Sequence, residues 1–456
     1  MMITAIEVKK LFGVFTHRID FDQSQNITLI LGENGLGKTV ILKLIKALGD
    51  NDLAAFREHV YEEFIFEFDD KSKLSVTRKA REKKAPEVEF SYFEPSKKKP
   101  LTYTLSDKDS SRIYRRIDRE RFYNKSANMR VHSGEIDFLF DRYIPVELER
   151  LGIDAWYDSS VKAMYSTEEI IRKYAPYLPP EFTDYFLEDV AKWIRELSVK
   201  ISVKLIETQR LLVKAEEGQY HSTVADYSKQ LRMTINKKRS EATDLASNLD
   251  RTYPNRVISQ INNSIKLNEN ELRESFIKLQ EKRELLNNVG LLDTDEEQLQ
   301  PITSPNFSSA ILSEVLSVYI DDSNKKLDIY NDLSSRIKLF LDIINNRFTY
   351  KKLSIDKSEG FLFTSTINKK KIPLNGLSSG EQHELVLFFD LLFNTKKNSL
   401  LLIDEPEISL HISWQKQFIN DLASVANLSN LIVVIATHSP DIIQNNWNLT
   451  VKLKGV

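Results

Sequence analysis

Four short stretches of this chain carry residue types whose spacing can do chemistry. Gly32-Glu-Asn-Gly-Leu-Gly-Lys-Thr39 has the spacing G-x-x-x-x-G-K-[ST] after an apolar run and before a helical one, the context a phosphate loop requires. Gly35 and Gly37 let the backbone curl so that its amides face phosphate oxygens. Lys38 brings positive charge to the outer phosphates, and Thr39 offers a hydroxyl to Mg²⁺. Gly32, Asn34, Gly35, Gly37, Lys38 and Thr39 are therefore the nucleotide-binding candidates. Leu400-Leu-Leu-Ile-Asp-Glu-Pro406 delivers two carboxylates at the end of an apolar strand. Asp404 can hold Mg²⁺ directly or through water. Glu405 can orient and deprotonate an attacking water, a role typically worth ~10²–10⁴ in rate. Ala436-Thr-His-Ser-Pro440 ends the next strand, where His438 can sense a terminal phosphate. Gln209, just past another strand candidate, has an amide able to join Mg²⁺ or the lytic water.

The fourth stretch, Asn375-Gly-Leu-Ser-Ser-Gly-Glu-Gln-His-Glu384, opens an apolar helix and allows two readings. Ser378 or Ser379 can cap that helix with Glu381 in its first turn. Bare amides at a helix start also suit a terminal phosphate. The order of the other three stretches favours the phosphate reading.

The elements that must position these residues can be read from apolar periodicity. Short strands are expected over 3–8, 16–21 and 27–31, then a helix over 40–48. Alternation over 64–68, 74–78, 88–93 and 101–105 predicts an antiparallel meander. Its basic turns, Arg78 to Lys84 and Lys97 to Lys99, are solvated hairpin tips or a patch for a partner or nucleic acid. Residues 108–198 read as irregular and mostly helical, ending in a helix over 181–197, and 199–206 as a strand. Residues 222–289 are polar and helical, broken at Pro254, with Ile258, Ile265, Leu272, Leu279 and Leu286 seven apart. The second seam position is poor, which predicts a helical hairpin or short coiled-coil arm packed on one side. One long helix is expected over 308–346, with Tyr330, Leu333, Ile337, Phe340 and Ile344 on one face. After short strands at 348–355, 361–365 and 371–374, strands and helices alternate to the end, which implies a mostly parallel sheet. The first and last parts of the chain then form one α/β core around the helical middle.

Composition bounds the rest. With 456 residues the chain has room for two or three cores, and 41% apolar with 29% charged residues is a globular balance. A net charge of −2 gives no global pull onto nucleic acid, so any such contact must be local. Arg112, Arg115, Arg116, Arg119 and Arg121 are one candidate patch. The absence of cysteine excludes disulfides, thiol catalysis and cysteine-ligated zinc. No signal peptide is evident and no apolar run is long enough to span a bilayer, so a cytoplasmic protein without membrane contact is expected. Seven scattered histidines show neither paired metal-ligand spacing nor an HNH motif.

Lys38 in its phosphate loop, Leu377-Ser-Ser-Gly-Glu381, Asp404-Glu405 and His438 together resemble the head of an ABC-type ATPase of the SMC-like and OLD-like branch. Leu11-Phe-Gly-Val-Phe15 before Ile19-Asp-Phe21 and Asp404-Glu-Pro-Glu-Ile-Ser-Leu-His411 look like that branch too. The resemblance covers roughly residues 1–105, 199–212 and 347–454. It implies ATP and Mg²⁺ as cofactors, with Thr39, Gln209 and Asp404 on the metal and Glu405, Gln209 and His438 serving hydrolysis. It also implies that the signature Ser378, Ser379, Gly380 and Glu381 of one subunit meets the nucleotide of another, hence a homodimer or higher oligomer. The fold class expected is α/β, a P-loop ATPase head with a large helical and coiled-coil insertion. Its parts are head over 1–107, helical insertion over 108–198, head strand and Gln209 loop over 199–212, arm over 213–346 and head again over 347–456.

Within that branch, Glu407-Ile-Ser-Leu-His411 followed by Trp414-Gln415 is most similar to the Septu (PtuA) anti-phage ATPases, which also occur with retrons and work with a separate HNH nuclease. OLD nucleases continue past the histidine into a Toprim domain. This sequence stops at Val456, so no nuclease centre of its own is expected and nucleic acid would be met through the complex. The alternative is an SMC- or RecF-like clamp that binds DNA itself. A transporter subunit is disfavoured by the length of the insertion. Leu410-His411 stands where that pattern usually has Leu-Asp, which puts communication between paired sites in question and allows slow turnover.

Overall fold

The computed structural model describes all residues except 23–24, 82–85, 106–132, 145, 147, 151–155, 159–162, 166, 175–176, 180–190, 207–211, 215–219, 264–268, 293–309, 409 and 456. The chain forms two compact units, Met1–Gln209 with Asn394–Val456, and Arg210–Phe393.

The first unit opens with the hairpin β1 (Ile3–Leu11) and β2 (Phe15–Asp20), then β3 (Ile27–Leu31), α1 (Lys38–Gly49) and α2 (Ala55–Glu58). β4 (Glu63–Phe68), β5 (Lys73–Lys79), β6 (Glu87–Phe93) and β7 (Leu101–Thr104) are the expected meander. They extend the hairpin into a six-stranded antiparallel sheet of order β2-β1-β4-β5-β6-β7. Alternation sends Phe64, Phe66 and Phe68 inward from β4. Phe56 of α2 meets Phe64, Phe66 and Phe90 edge-on at 6.5, 6.4 and 5.5 Å.

Residues 133–200 differ from the mostly helical expectation. α3 (Ser133–Tyr143) leads into β8 (Leu148–Arg150), β9 (Trp156–Asp158) and β10 (Ala163–Tyr165), which make a small sheet of their own. α4 (Thr167–Tyr174) completes this lobe, whose core is Ile136, Phe140, Trp156, Ile170 and Ile171. Strands of three residues are too short to show a period of two. Most of the helix expected over 181–197 lies outside the described residues. The helix α5 spans Lys192–Lys200, and β11 (Val203–Ile206) starts later than residue 199. Ile194, Leu197 and Ser198 are buried on one helical face while Val199 is exposed, so α5 keeps the residues expected as strand.

The second unit begins with β12 (Leu212–Lys214) and β13 (Tyr220–Ser222). α6 (Thr223–Asn263) then runs straight through Pro254, where a break was expected. Proline removes a backbone donor and crowds the preceding turn. The Arg256 guanidinium donates to the Leu249 carbonyl at 2.8 Å in that turn and forms a forked ion pair with Asp322 of the next-but-one helix. Tertiary pairing thus carries the helix past its weak point. α7 (Glu269–Asn288) buries Leu272, Leu279 and Leu286, whereas Ile258 of the same heptad row is exposed and Ile265 lies outside the described residues. α8 (Ala310–Asp328) packs on both α6 and α7.

The single helix expected over 308–346 is two. A turn at Tyr330, with its N–H on the Leu327 carbonyl, separates α8 from α9 (Asn331–Arg347). Asp328 and Asn331, which bond each other at 2.8 Å, favour a helix end over a helix interior. The predicted face is nonetheless buried at Leu333, Ile337, Phe340 and Ile344.

β14 (Lys351–Asp356), β15 (Gly360–Ser365) and β16 (Lys371–Ile372) form an antiparallel sheet before α10 (Ser379–Phe393). Phe389 of α10 sits in an aromatic cluster with Tyr227, Phe340, Phe361 and Phe393 at centroid separations of 4.5 to 6.0 Å. Glu384 of α10 and Arg347 of α9 make a buried ion pair, with the guanidinium 4.7 Å from the Phe388 ring.

The chain then returns to the first unit as β17 (Leu400–Asp404), α11 (Ile412–Ser429), β18 (Ile432–Thr437), α12 (Pro440–Ile443) and β19 (Thr450–Lys452). The strands form a wholly parallel sheet of order β11-β17-β18-β3-β19. All six residues of β18 are buried, as a strand covered on both faces requires. This is the α/β core expected from the two ends of the sequence.

Candidate functional site

Parallel register decides which loops meet. Asp404 pairs with Ala436, and Thr437 with Leu31. The C-terminal ends of β17, β18 and β3 therefore lie at one sheet edge, the usual place for a ligand in an open α/β sheet. Each of these ends opens into one of the chemically loaded stretches.

The loop after β3 enters α1 through Gly37, which caps the helix in the left-handed region at φ 89°. Gly35 is also left-handed, at φ 87°, with open space around it. A Cβ on Gly37 would fall 2.3 Å from Leu11 Cδ2 and 3.2 Å from Phe12 Cε2, so this glycine serves both conformation and close approach. Glu33, Asn34 and Gly35 are exposed, while Gly32 and Leu36 are buried beneath them. His17 of β2 supports the loop from below, its buried Nε2 donating to the Leu36 carbonyl at 3.1 Å. Burial holds its imidazole below the ordinary value, and Phe15 stacks on it.

Lys38 is almost fully buried, and its ammonium donates to the carbonyls of Gly32 at 2.8 Å and Glu33 at 3.2 Å. It also donates to His438 Nε2 at 2.6 Å, which requires that nitrogen to be an acceptor. Burial lowers the affinity of Lys38 for its proton, opposed by the charges of Glu405, Asp404 and Glu407. Glu405 Oε1 lies 3.4 Å from His438 Nε2. Its backbone is left-handed at φ 44°, a conformation that strains a residue with a Cβ. The Glu405 N–H donates to the Ala436 carbonyl at 2.9 Å, which fixes the strained turn against β18.

Burial pushes the Asp404 carboxyl up, and the Thr39 hydroxyl bonded to it opposes that shift. Asp404 Oδ1 is buried and has no hydrogen-bond partner among the described residues. A buried carboxylate oxygen with no donor, beside a hydroxyl oxygen, is the hard-oxygen pair a Mg²⁺ ion accepts. The residues therefore fit that cation. Among the described residues no group of three or more His, Asp or Glu side chains could hold a metal by itself.

Gly32, Lys38, Thr39, Asp404, Glu405 and His438 thus meet at one edge. Gln209 lies outside the described residues. Ser378, Ser379, Gly380 and Glu381 belong to the second unit. There Ser378 N–H donates to Glu381 Oε2 at 2.7 Å, and the Glu381 N–H donates to Ser378 Oγ at 3.3 Å. This is a capping box, with the carboxylate also held by Lys351 at 2.7 Å. Of the two readings of this stretch the cap is formed, at Ser378 rather than Ser379. Ser378 and Ser379 remain exposed.

Sequence reasoning assigned no role to Glu407 or Gln415, although both stand in the quoted motif. Glu407 Oε1 accepts the His438 N–H at 2.6 Å. Gln415, buried on α11, donates to the carbonyls of Glu407 at 3.3 Å and Leu410 at 3.2 Å, and accepts from Ser439 Oγ at 2.7 Å. A second carboxylate two residues after Glu405 was the only available signal. His411, in place of the usual Asp, caps α11 by accepting the Ser413 N–H. It thereby does the local task an aspartate would do.

A family model described as AAA ATPase domain matches residues 1–443. No curated protein matches the chain. Among solved structures, the Smc head domain with an extended coiled coil bound to the C-terminal domain of ScpA, from Pyrococcus furiosus, is 12% identical, with 97% of this chain and 91% of that chain covered and a TM-score of 0.33. An SmcHead bound to the C-winged helix domain of ScpA is 10% identical, covering 98% and 92%, with a TM-score of 0.32.

Proposed function

The chain belongs to the family of AAA ATPase domains, and from that premise we propose that it hydrolyses Mg²⁺-bound ATP to control a separate nuclease subunit in anti-phage defence. The observation that carries the ATPase part is the meeting of Lys38, Thr39, Asp404, Glu405 and His438 at one sheet edge. In this reading the amides of residues 32–37 hold the phosphates, and Lys38 exchanges its loop carbonyls for the outer phosphate oxygens. Thr39, Asp404 and Gln209 hold Mg²⁺, which when bound neutralises charge on the departing phosphate oxygens. Glu405 accepts a proton from the water that attacks the terminal phosphorus. The bond to the bridging oxygen breaks, and ADP and inorganic phosphate leave. His438, released from Lys38 and carrying its proton on Nε2, donates to the terminal phosphate.

Ser378, Ser379, Gly380 and Glu381 of a second copy then complete the site, so that two heads close on two nucleotides, and the helical second unit passes the change to the partner. Support for the nuclease-control part is the motif 407–411 with Trp414-Gln415 and the lack of an HNH motif in the sequence.

The test is phosphate release together with native mass, the chain being co-expressed with its genomic neighbours. Glu405→Gln is expected to keep ATP bound while turnover falls by ~10²–10⁴. Lys38→Ala is expected to lose ATP binding. A small nuclease should co-elute with an ATPase oligomer. A partner-free dimer whose DNA binding falls steeply with salt would replace this reading with that of a DNA clamp.

A further inference from the structure

We infer that Glu407 and Gln415 are positioning residues that latch the loop after β17 to the loop after β18 and so hold His438 against Lys38 and Glu405. The inference deepens the ATPase reading and rests on it for its kinetic part only.

Three ties join the two loops. The Glu405 N–H reaches the Ala436 carbonyl, continuing the β17–β18 ladder by one residue. Beyond that point the ladder stops, and the ties are made by side chains. The Glu407 carboxylate takes the His438 N–H at 2.6 Å, a charge-assisted bond to the backbone of the residue whose ring faces the site. Gln415 takes the Ser439 hydroxyl at 2.7 Å and grips the carbonyls of Glu407 and Leu410 with its amide nitrogen.

The amide uses both its donors and its acceptor, each on a different loop residue, and it is buried. An apolar side chain of that size would fill the same volume without touching either loop's polarity. Glu407 Oε2 is buried with no hydrogen-bond partner among the described residues, so one oxygen alone makes the tie. The need for a latch is local. Glu405 sits in a left-handed turn that persists only when its surroundings over-determine it. The imidazole beside it must keep Nε2 on the Lys38 ammonium at 2.6 Å, with the Glu405 carboxylate 3.4 Å from the same atom. Releasing the His438 backbone lets that ring leave both.

The experiment compares Glu407→Ala, Gln415→Ala and Glu407→Gln with the unaltered full chain. In steady-state ATP hydrolysis the alanine variants are expected to lose about 10- to 100-fold in kcat, as misplaced catalytic groups do, with ATP affinity unchanged. Glu407→Gln keeps a carbonyl oxygen for the His438 N–H and is expected to recover most of the rate. In parallel, the Cε1–H resonance of His438 is monitored by NMR on histidine-labelled protein and assigned with His438→Gln. It should move in both alanine variants, while the His17 resonance stays.

Unchanged kcat, an equal loss in Glu407→Gln, or a His438 resonance that does not move would overturn the latch. If the unaltered chain released no phosphate, the ATPase reading would fall, and the resonance would still decide the latch. Should Glu407→Ala or Gln415→Ala fail to fold, Ser439→Ala removes one tie with the loss of a single hydroxyl and takes its place in both readouts.

Discussion

Single residues at this site are constrained by backbone geometry as much as by chemistry, and the two left-handed glycines of the loop after β3 separate these demands. Gly35→Ala meets no neighbour, so only the cost of the left-handed conformation applies, ~1–2 kcal/mol. Gly37→Ala carries the same strain, and its Cβ also drives into Leu11 of the core, which adds ~1–3 kcal/mol. Urea titrations of the two variants should therefore differ by that second amount. Equal midpoints would mean that Leu11 moves aside freely. Lys38, His438 and Glu405 form the other residue-scale feature, a lysine whose buried ammonium already has three acceptors. Any anion it takes must compete with them.

At the scale of elements, the hairpin and meander show how charge secures an exposed face. Glu67 of β4 accepts from Arg18 at 2.9 Å and Lys73 at 2.8 Å, and these bonds pull its carboxyl down to about 2 from an ordinary 4.5. A carboxyl depressed on folding stabilises the fold above its unfolded value, and that stability is lost as pH falls from 4.5 towards 2. Glu67→Gln should thus lower the unfolding free energy at pH 7 by no more than ~1 kcal/mol, because solvent screens the pair. The difference should vanish near the lower pH and shrink with added salt. A deficit that persisted at pH 2 would show that packing, not charge, holds Glu67.

Elements also mark how far the sequence could be read. The parallel strands are legible because Ile27–Leu31, Leu400–Asp404 and Ile432–Thr437 are unbroken apolar runs, each ending at a loaded loop. Lys38, Thr39, Asp404, Glu405 and His438 are legible as neighbours because each stands at or just past the end of such a run. Pro254 is not legible as helical, since Arg256 and Asp322, which carry the helix past it, come from separate segments. The turn at Tyr330 is hidden by an apolar face that continues through it. Glu407 and Gln415 are visible as residues but not in role, because their partners are main-chain groups and a hydroxyl of another loop. The buried ion pair of Glu384 with Arg347 is hidden for the same reason, its two halves lying on separate helices.

For the whole molecule, two compact units predict two unfolding events in calorimetry rather than one. Phe389→Ala removes the centre of the aromatic cluster of the second unit, a loss of ~3–5 kcal/mol, and should lower one transition only. Mg²⁺-ATP at a hundred times its Kd should raise the other by about 2.7 kcal/mol. A single transition that responds to both would mean that the units unfold together. The parallel sheet has a further consequence, for synthesis. Leu29 of β3 lies between Ile435 and Thr450 in register, and those partners are made roughly 400 residues later, about 20–80 s at 5–20 residues per second. Throughout that interval a nascent chain carries a bare Ile-Thr-Leu-Ile-Leu strand whose proper neighbours do not yet exist, an apolar segment open to wrong pairing until the last strands arrive.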